Sequence, residues 1–448
     1  VRRARMSVLH RLLLRRLAGA GLIVCTALFA PRAVAHAVLL GSEPADGAVL
    51  AAAPAVLAAL LAAVLADPAR TDRIAALERR DEAIAALVDW GLELGLELDR
   101  DRLNQSLGAD VIGLDRFVAR PVTGHERPGP RWLPVGLSND GAQLTVDWAH
   151  FGQDRLDSSF FETDLRLART RPVTRLLQWR TPLGGLIEQF GQDAPRLDGL
   201  IFHMSRCGST LVTQSLAALP GTLALSEPPP LDEVVQLCQA RGDFDPQVKL
   251  ALMRAMVSVL TMGVGDPSET RRRFIKTDCW HAGALPLFRA AFPDTPWICL
   301  FRDPLDVLNS HEAMPGSQTL PGAHAALVGI DDPEAMPGLD FSARVLAATC
   351  HAAADHAALG GGLFIDYADL PGARWDRSRP HFGIAPDAQE TALIAAALQR
   401  DAKQPQKKFD AQERTPASQA SPAVRAASAA HLAPAVDRLR ALAVQVTD

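Results

Sequence analysis

The run DGLIFHMSRCGSTLVTQSLAALP, Asp198 to Pro220, takes an apolar strand (Leu200 to His203) through the tight turn Ser205-Arg206-Cys207-Gly208-Ser209-Thr210 and directly into an amphipathic helix. A helix N-terminus leaves backbone N–H groups unpaired and carries partial positive charge, which suits a phosphate. Gly208 lets the backbone approach an anion, Ser209 and Thr210 offer hydroxyl donors, and Arg206 adds a planar cation. The Walker A pattern is absent, since no Lys precedes the Ser-Thr pair, and this argues against ordinary ATP or GTP hydrolysis. The ordinary alternative is a strand-turn-helix connection that uses Gly and Ser only to make the turn.

On either side of this run the pattern supports the same architecture. From Leu197 onward the short apolar runs GLIFHM, TLALS, RFIKT, WICLF and GLFIDY alternate with helix-length segments. Such alternation predicts an α/β domain over 193–410, with a mostly parallel sheet covered on both faces. Ahead of it, 57–192 reads as a mainly helical region: Ala55 to Leu98 has periodic Leu, Ile and Ala, whereas Leu103 to Pro134 is irregular. Trp148, Phe160, Phe161 and Trp179 are expected to be packing anchors on further helices there. The stretch 411–448 reads as a flexible polar tail followed by a short terminal helix from about Ala433.

A second motif, WICLFRDPLDVLNSH (Trp297 to His311), is a buried strand ending at Arg302. Asp303 suits an N-cap and Pro304 the first helical position. Arg302 and Ser310 then face the crevice at the carboxyl end of the sheet, where ligands bind in open α/β folds. The alternative is a simple Arg302–Asp306 surface pair.

The two motifs and their spacing resemble the P-loop-like sulfotransferase family over about Leu197 to Phe409. The first is similar to that family's 5′-phosphosulfate loop, PRSGST. The second follows its RDPxDVxxS pattern at Arg302, Asp303, Pro304, Asp306, Val307 and Ser310. Lys276-Thr277 with His281 is similar to the family's KTPxH segment, with Asp278 where Pro is usual; IDYADLPG resembles its YEDL element and AKQPQKKF its late basic loop. The resemblance implies a P-loop-like three-layer fold, 3′-phosphoadenosine-5′-phosphosulfate (PAPS) as co-substrate, and sulfuryl transfer to a hydroxyl or amine of a small-molecule or glycan acceptor. No metal is expected.

Site roles follow from where charge develops. Arg206, Ser209, Thr210 and Lys276 are the candidates for stabilising the leaving oxygen and the sulfuryl oxygens, while Cys207 and Gly208 shape the loop. Arg302 and Ser310 would hold the 3′-phosphate. An acceptor hydroxyl needs a base. Glu227, in LSEPPPLDEV after the second strand, is the first candidate and His281 the second, against a helix cap and a packing histidine respectively. Lys403, with Lys407 and Lys408, either steers the donor or solvates the tail. A non-catalytic nucleotide-binding module is the alternative that Cys207 and Asp278 suggest.

The N-terminus points elsewhere. Residues 1–35 carry seven Arg, no acid, and the apolar run LAGAGLIVCTALFA before PRAVA, and read as a secretory signal peptide or an anchor. Residues 36–56, beginning HAVLLGSEPADGAVLAAAP, resemble the start of CopC-type copper-resistance proteins, in which an N-terminal His binds copper; His36 would be that ligand, and a periplasmic copper protein is the alternative function. The PAPS donor is cytosolic whereas the leader reads as an export signal, so a fused or over-extended reading frame is expected. Membrane attachment is expected only through that segment.

The remaining body carries 39 basic against 51 acidic residues within a total net charge of -5, which excludes sequence-independent nucleic-acid binding. The six Cys form no CxxC pair and predict reduced, buried thiols. His351 and His356, five apart, do not share a helix face as a metal pair would.

Overall fold

The computed structural model describes chiefly residues 66–106, 124–139, 143–152, 155–177, 179–263, 270–320, 338–370, 375–403 and 417–445. Residues 1–35, expected to be a signal peptide or anchor, residues 36–56 with His36, expected to be CopC-like, and Lys407 and Lys408 lie outside the described residues apart from isolated positions. The chain divides into two compact units, Val1–Thr71 with Ala85–Arg100, and Asp72–Ile84 with Asp101–Asp448. In the first, Leu60, Val64, Leu87 and Trp90 are buried, and Arg70 lies over the Trp90 ring (5.9 Å) while pairing with Glu93 (3.0 Å).

The second unit holds two sheets. The smaller is antiparallel, in the order β1 (Trp132–Asn139), β2 (Leu144–His150), β3 (Arg180–Pro182). It falls within the region read as mainly helical, whose described residues do lie mostly in helices (Pro68–Ala76, Arg80–Glu93, Arg100–Ser106, Phe161–Thr170, Pro172–Leu177 and Leu183–Phe190), and adds a sheet that the reading did not include. LTVDWAH alternates and is rich in strand formers, and the Asn-Asp-Gly stretch before it is a hairpin signal. Pro134 and Gly136, at a register shift in β1, obscure the pattern on the other strand. The aromatic residues do serve as anchors: the Trp148 indole N–H donates to Thr181 Oγ1 (2.9 Å), and Trp132 packs on Trp179 with ring centroids 6.4 Å apart.

The larger sheet is wholly parallel, in the order β8-β7-β4-β6-β5: β4 (Gly199–His203), β5 (Thr222–Ser226), β6 (Arg272–Lys276), β7 (Trp297–Phe301) and β8 (Gly362–Asp366). All residues of β4, β5 and β7 are buried, as expected of strands covered on both faces. The α/β class with a five-stranded parallel sheet is therefore observed. Phe202 makes edge-on contacts with Phe288 (5.4 Å) and Trp297 (5.9 Å), and Trp297 with Phe364 (5.6 Å), which ties the central strands to the helical layer.

After β4 the chain crosses to β5 and β6 on one side, then returns to β7 and β8 on the other. The reversal puts a topological switch point between the carboxyl ends of β4 and β7. Two helices begin there: α1 (Ser209–Ala217) after β4 and, after β7, a second that starts at Pro304. Between them in sequence lies the helix Pro229–Ala240, whose Glu233 accepts a short hydrogen bond from the Leu137 N–H of β1 and so docks the small sheet.

The terminal helix begins at Ala433 as expected, but the residues just before it differ from expectation. From Ser421 on the chain is helical: the Ser421 hydroxyl accepts from Val424 N (3.2 Å), Pro422 takes the first helical position, and Ala433–Gln445 packs against the helix Gly338–Asp355. The Ser-Pro pair that reads as a linker is a helix start. All five described cysteines are buried and free.

Candidate functional site

The crevice between β4 and β7 is lined by strained backbone. Ser205 (φ 76°), Arg206 (φ 53°) and Gly208 (φ 85°) are left-handed within four residues, and the one other non-glycine residue with positive φ among the described residues is Glu227 (φ 52°), beside them. Strain of this kind persists only where surrounding contacts hold it, and successive amides in such a turn face a common concavity. Gly208 is the N-cap of α1 and offers no side-chain cap, so the first amides of that helix are left for another acceptor. A Cβ on Gly208 would come within 2.7–2.8 Å of the Tyr367 ring, which lies across the loop.

Beneath the loop a buried lysine pairs with a half-buried glutamate. Lys276, fully buried at the end of β6, puts Nζ 2.8 Å from Glu227 Oε1 and 3.1 Å from Thr210 Oγ1, which accepts from it. The Phe160 ring covers the ammonium at 4.6 Å. Burial by itself would raise the Glu227 carboxyl; the Lys276 ammonium and His203 overcome it and hold the group well below the usual carboxylate range.

Cations gather on the rim. Arg206 donates to Met314 O (2.9 Å), and the Met314 N–H donates to Ser310 O (3.1 Å), so the loop and Ser310 meet through one residue. Arg302 donates to Asp306 Oδ2 from Nη2 (2.7 Å) and Nε (3.1 Å), lies over the Tyr367 ring (4.5 Å), and reaches Arg206 O (3.5 Å). The Arg302–Asp306 pair is thus formed, at the same place as the expected phosphate site. Asp303 caps its helix through Leu305 N (2.9 Å) as expected. Lys403, an exposed residue, has its ammonium lowered to about 8 by desolvation and by the charges of Arg206 and Lys276. Like charges held together in this way are relieved by an anion, so the donor set fits a phosphate or phosphosulfate ligand.

Three expected residues are placed differently. Cys207 turns inward: its Sγ donates to Leu300 O (3.2 Å) and burial pushes the thiol up to about 11, which leaves only its backbone for a ligand. His281 is buried with both ring nitrogens engaged, Nδ1 accepting from Asp278 N (3.3 Å) and Nε2 donating to Asp232 Oδ1 (2.8 Å). That arrangement caps a 3₁₀ turn and presents no lone pair to an acceptor, which removes His281 as the base. Asp278, where the resemblance expects Pro, is driven well above the carboxylate range by burial and by Glu227 and Asp232. Asp232, Asp278 and His281 bring potential ligand atoms within 4.8 Å, but the Nε2 proton shared with Asp232 occupies the electron pair a metal would need.

Two histidines escaped the sequence reading. His203 closes β4 between the loop and Glu227, and His311 Nε2 lies 3.3 Å from Ser205 Oγ, with burial lowering its imidazole to about 4. For His203 the signal was an ionisable residue ending an otherwise apolar strand, whereas His311 lies within the helix that starts at Pro304. A separate cavity of about 410 Å³, lined by Phe190, Arg196, Thr261 and Arg273, opens at the amino ends of β4 and β6, away from this chemistry.

No family model matches the chain, and no curated protein matches it. Among solved structures it is similar to the sulfotransferase domain of the Synechococcus PCC 7002 olefin synthase, at 14% identity and a TM-score of 0.34, covering 56% of this chain and 96% of that one. Sulfotransferase STF9 from Mycobacterium avium (13%, TM-score 0.36, 55% and 79% covered) and the sulfotransferase from Alicyclobacillus acidocaldarius (16%, TM-score 0.33, 56% and 96% covered) are further neighbours.

Proposed function

We propose that the chain is a sulfotransferase that moves the sulfuryl group of PAPS to a hydroxyl or amine acceptor. The observation that carries this reading is the convergence, at one switch point, of the left-handed Ser205–Gly208 turn, an uncapped helix N-terminus, and Arg302 from the adjoining strand. Bound PAPS supplies an activated sulfuryl group on a phosphate leaving group. The amides of the turn and the Ser209 and Thr210 hydroxyls bind its 5′ anionic end. Arg206 and Lys276 face the leaving oxygen and the sulfuryl oxygens, where negative charge grows. Arg302 exchanges its Asp306 partner for the 3′-phosphate, with Ser310 on the same helix, and Lys403 adds to the positive field.

Glu227 takes the acceptor proton. While Lys276 pairs with it the carboxylate is too weak a base; as the ammonium turns toward the departing oxygen, Glu227 loses its partner and its proton affinity rises. The copper reading rests on His36, and no described residue adds to it.

Transfer of labelled sulfate from PAPS to a panel of alcohols, phenols and amines tests the proposal. Product is expected with at least one class, and Glu227→Gln should lower its rate about 100-fold or more while leaving adenosine 3′,5′-bisphosphate binding in place. Nucleotide binding without product from any class would favour the non-catalytic module; a full rate in the variant would remove Glu227 as the base.

A further inference from the structure

His203 is the last residue of β4 and is buried. Its Nδ1 accepts the backbone N–H of Ser205 (3.1 Å), and an accepting ring nitrogen bears no proton. The proton of the neutral ring is therefore on Nε2. That nitrogen donates to Thr277 O (2.9 Å) and lies 3.3 Å from Glu227 Oε1. One imidazole thus touches three chain segments: the left-handed loop at Ser205, the residue after Lys276, and the left-handed Glu227.

We infer that His203 is a positioning residue that holds the strained anion loop and the Glu227 carboxylate in one register, its Nδ1 fixing the Ser205 amide and its Nε2–H fixing the carboxylate side. The inference rests on the nucleotide-binding reading of the loop. Both held residues are non-glycine and left-handed, so each needs an outside contact to persist. His203 supplies one to each from opposite edges of the same ring. Lys276 makes the remaining strong contact to Glu227 and also reaches Thr210, which closes the link between base and loop from below. Burial disfavours the imidazolium and outweighs the Glu227 carboxylate, which favours it; the nearby Lys276 charge acts with burial, and the ring is held in the neutral state this geometry requires.

The two edges can be separated chemically. His203→Asn keeps an acceptor near the Nδ1 position and loses the outer donor; His203→Gln keeps a donor near Nε2 and loses the inner acceptor. Amide hydrogen exchange over 204–210 reads the loop, and the ¹³C carboxyl resonance of Glu227 at about pH 4 reads the base. The Gln variant should exchange the Ser205 amide about five- to tenfold faster, with the Glu227 resonance unmoved. The Asn variant should keep the slow exchange while the resonance moves toward the protonated position. Adenosine 3′,5′-bisphosphate affinity should fall in the Gln variant and be kept in the Asn variant. Both variants behaving alike in exchange and resonance would overturn the inference, whatever the nucleotide does. A wild-type chain that binds no nucleotide, but whose variants show the crossed pattern, would refute the nucleotide reading and uphold the positioning of loop and carboxylate.

Discussion

Lys276 and Glu227 show how burial and charge together set a group's chemistry. The buried Lys276 ammonium is retained because Glu227, itself half-buried, is 2.8 Å away. Lys276→Met would leave the half-buried Glu227 without its cation, with only His203 beside it, and should lower stability at neutral pH by about 1–3 kcal/mol, measured by denaturant unfolding. The sign with pH follows from the depressed carboxyl. In the wild type its contribution is present above the unfolded value and is lost as pH falls through the lower folded one. In the variant burial raises the group instead, so the gap between the two proteins should narrow toward acid; a gap that does not change with pH would contradict this. On the rim, desolvation and neighbouring cations lower the Lys403 ammonium to about 8, so affinity for adenosine 3′,5′-bisphosphate should decline as pH rises past that value, and calorimetry of Lys403→Ala should lose that step. An identical pH profile in both chains would dissociate Lys403 from the site.

The turn between β4 and α1 is the element on which the ligand site depends. Gly208→Ala combines a left-handed φ of 85° with a Cβ 2.7 Å from the Tyr367 ring, and should lower stability by about 1–3 kcal/mol and abolish nucleotide binding. Adding Tyr367→Ala removes the clash but not the φ penalty, so part of the stability should return; full wild-type stability in the single variant would show that the turn relaxes freely. This element was legible because its residues must be small and polar for reasons visible in the sequence. The runs GLIFHM, TLALS and WICLF were legible too, since strands buried on both faces are largely apolar, and RFIKT and GLFIDY share their apolar centres. The antiparallel sheet was not: β3 has three residues, and β1 carries Pro134 and Gly136, so neither shows a clean alternation. Nor did spacing reveal that His281 spends both ring nitrogens on Asp278 and Asp232, because that contact depends on where the helix Pro229–Ala240 lies in space.

For the molecule as a whole, an acidic body of 39 basic against 51 acidic residues concentrates cations at one place, the carboxyl ends of β4 and β7. Arg206, Arg302, Lys276 and Lys403 come there from four separate stretches of chain, an order of assembly that strand pairing decides and linear sequence does not display. Their convergence is the basis of the functional account, and of the expectation that a ligand with two anionic ends is preferred to one with a single end. Calorimetric titration of the full chain with adenosine 3′,5′-bisphosphate and with ADP, for wild type and Arg302→Ala, tests that account most directly. It predicts tighter binding of the bisphosphate by wild type and loss of that preference by about 1.5–3 kcal/mol in the variant. Equal affinity for both nucleotides in wild type, or binding of neither, would contradict it.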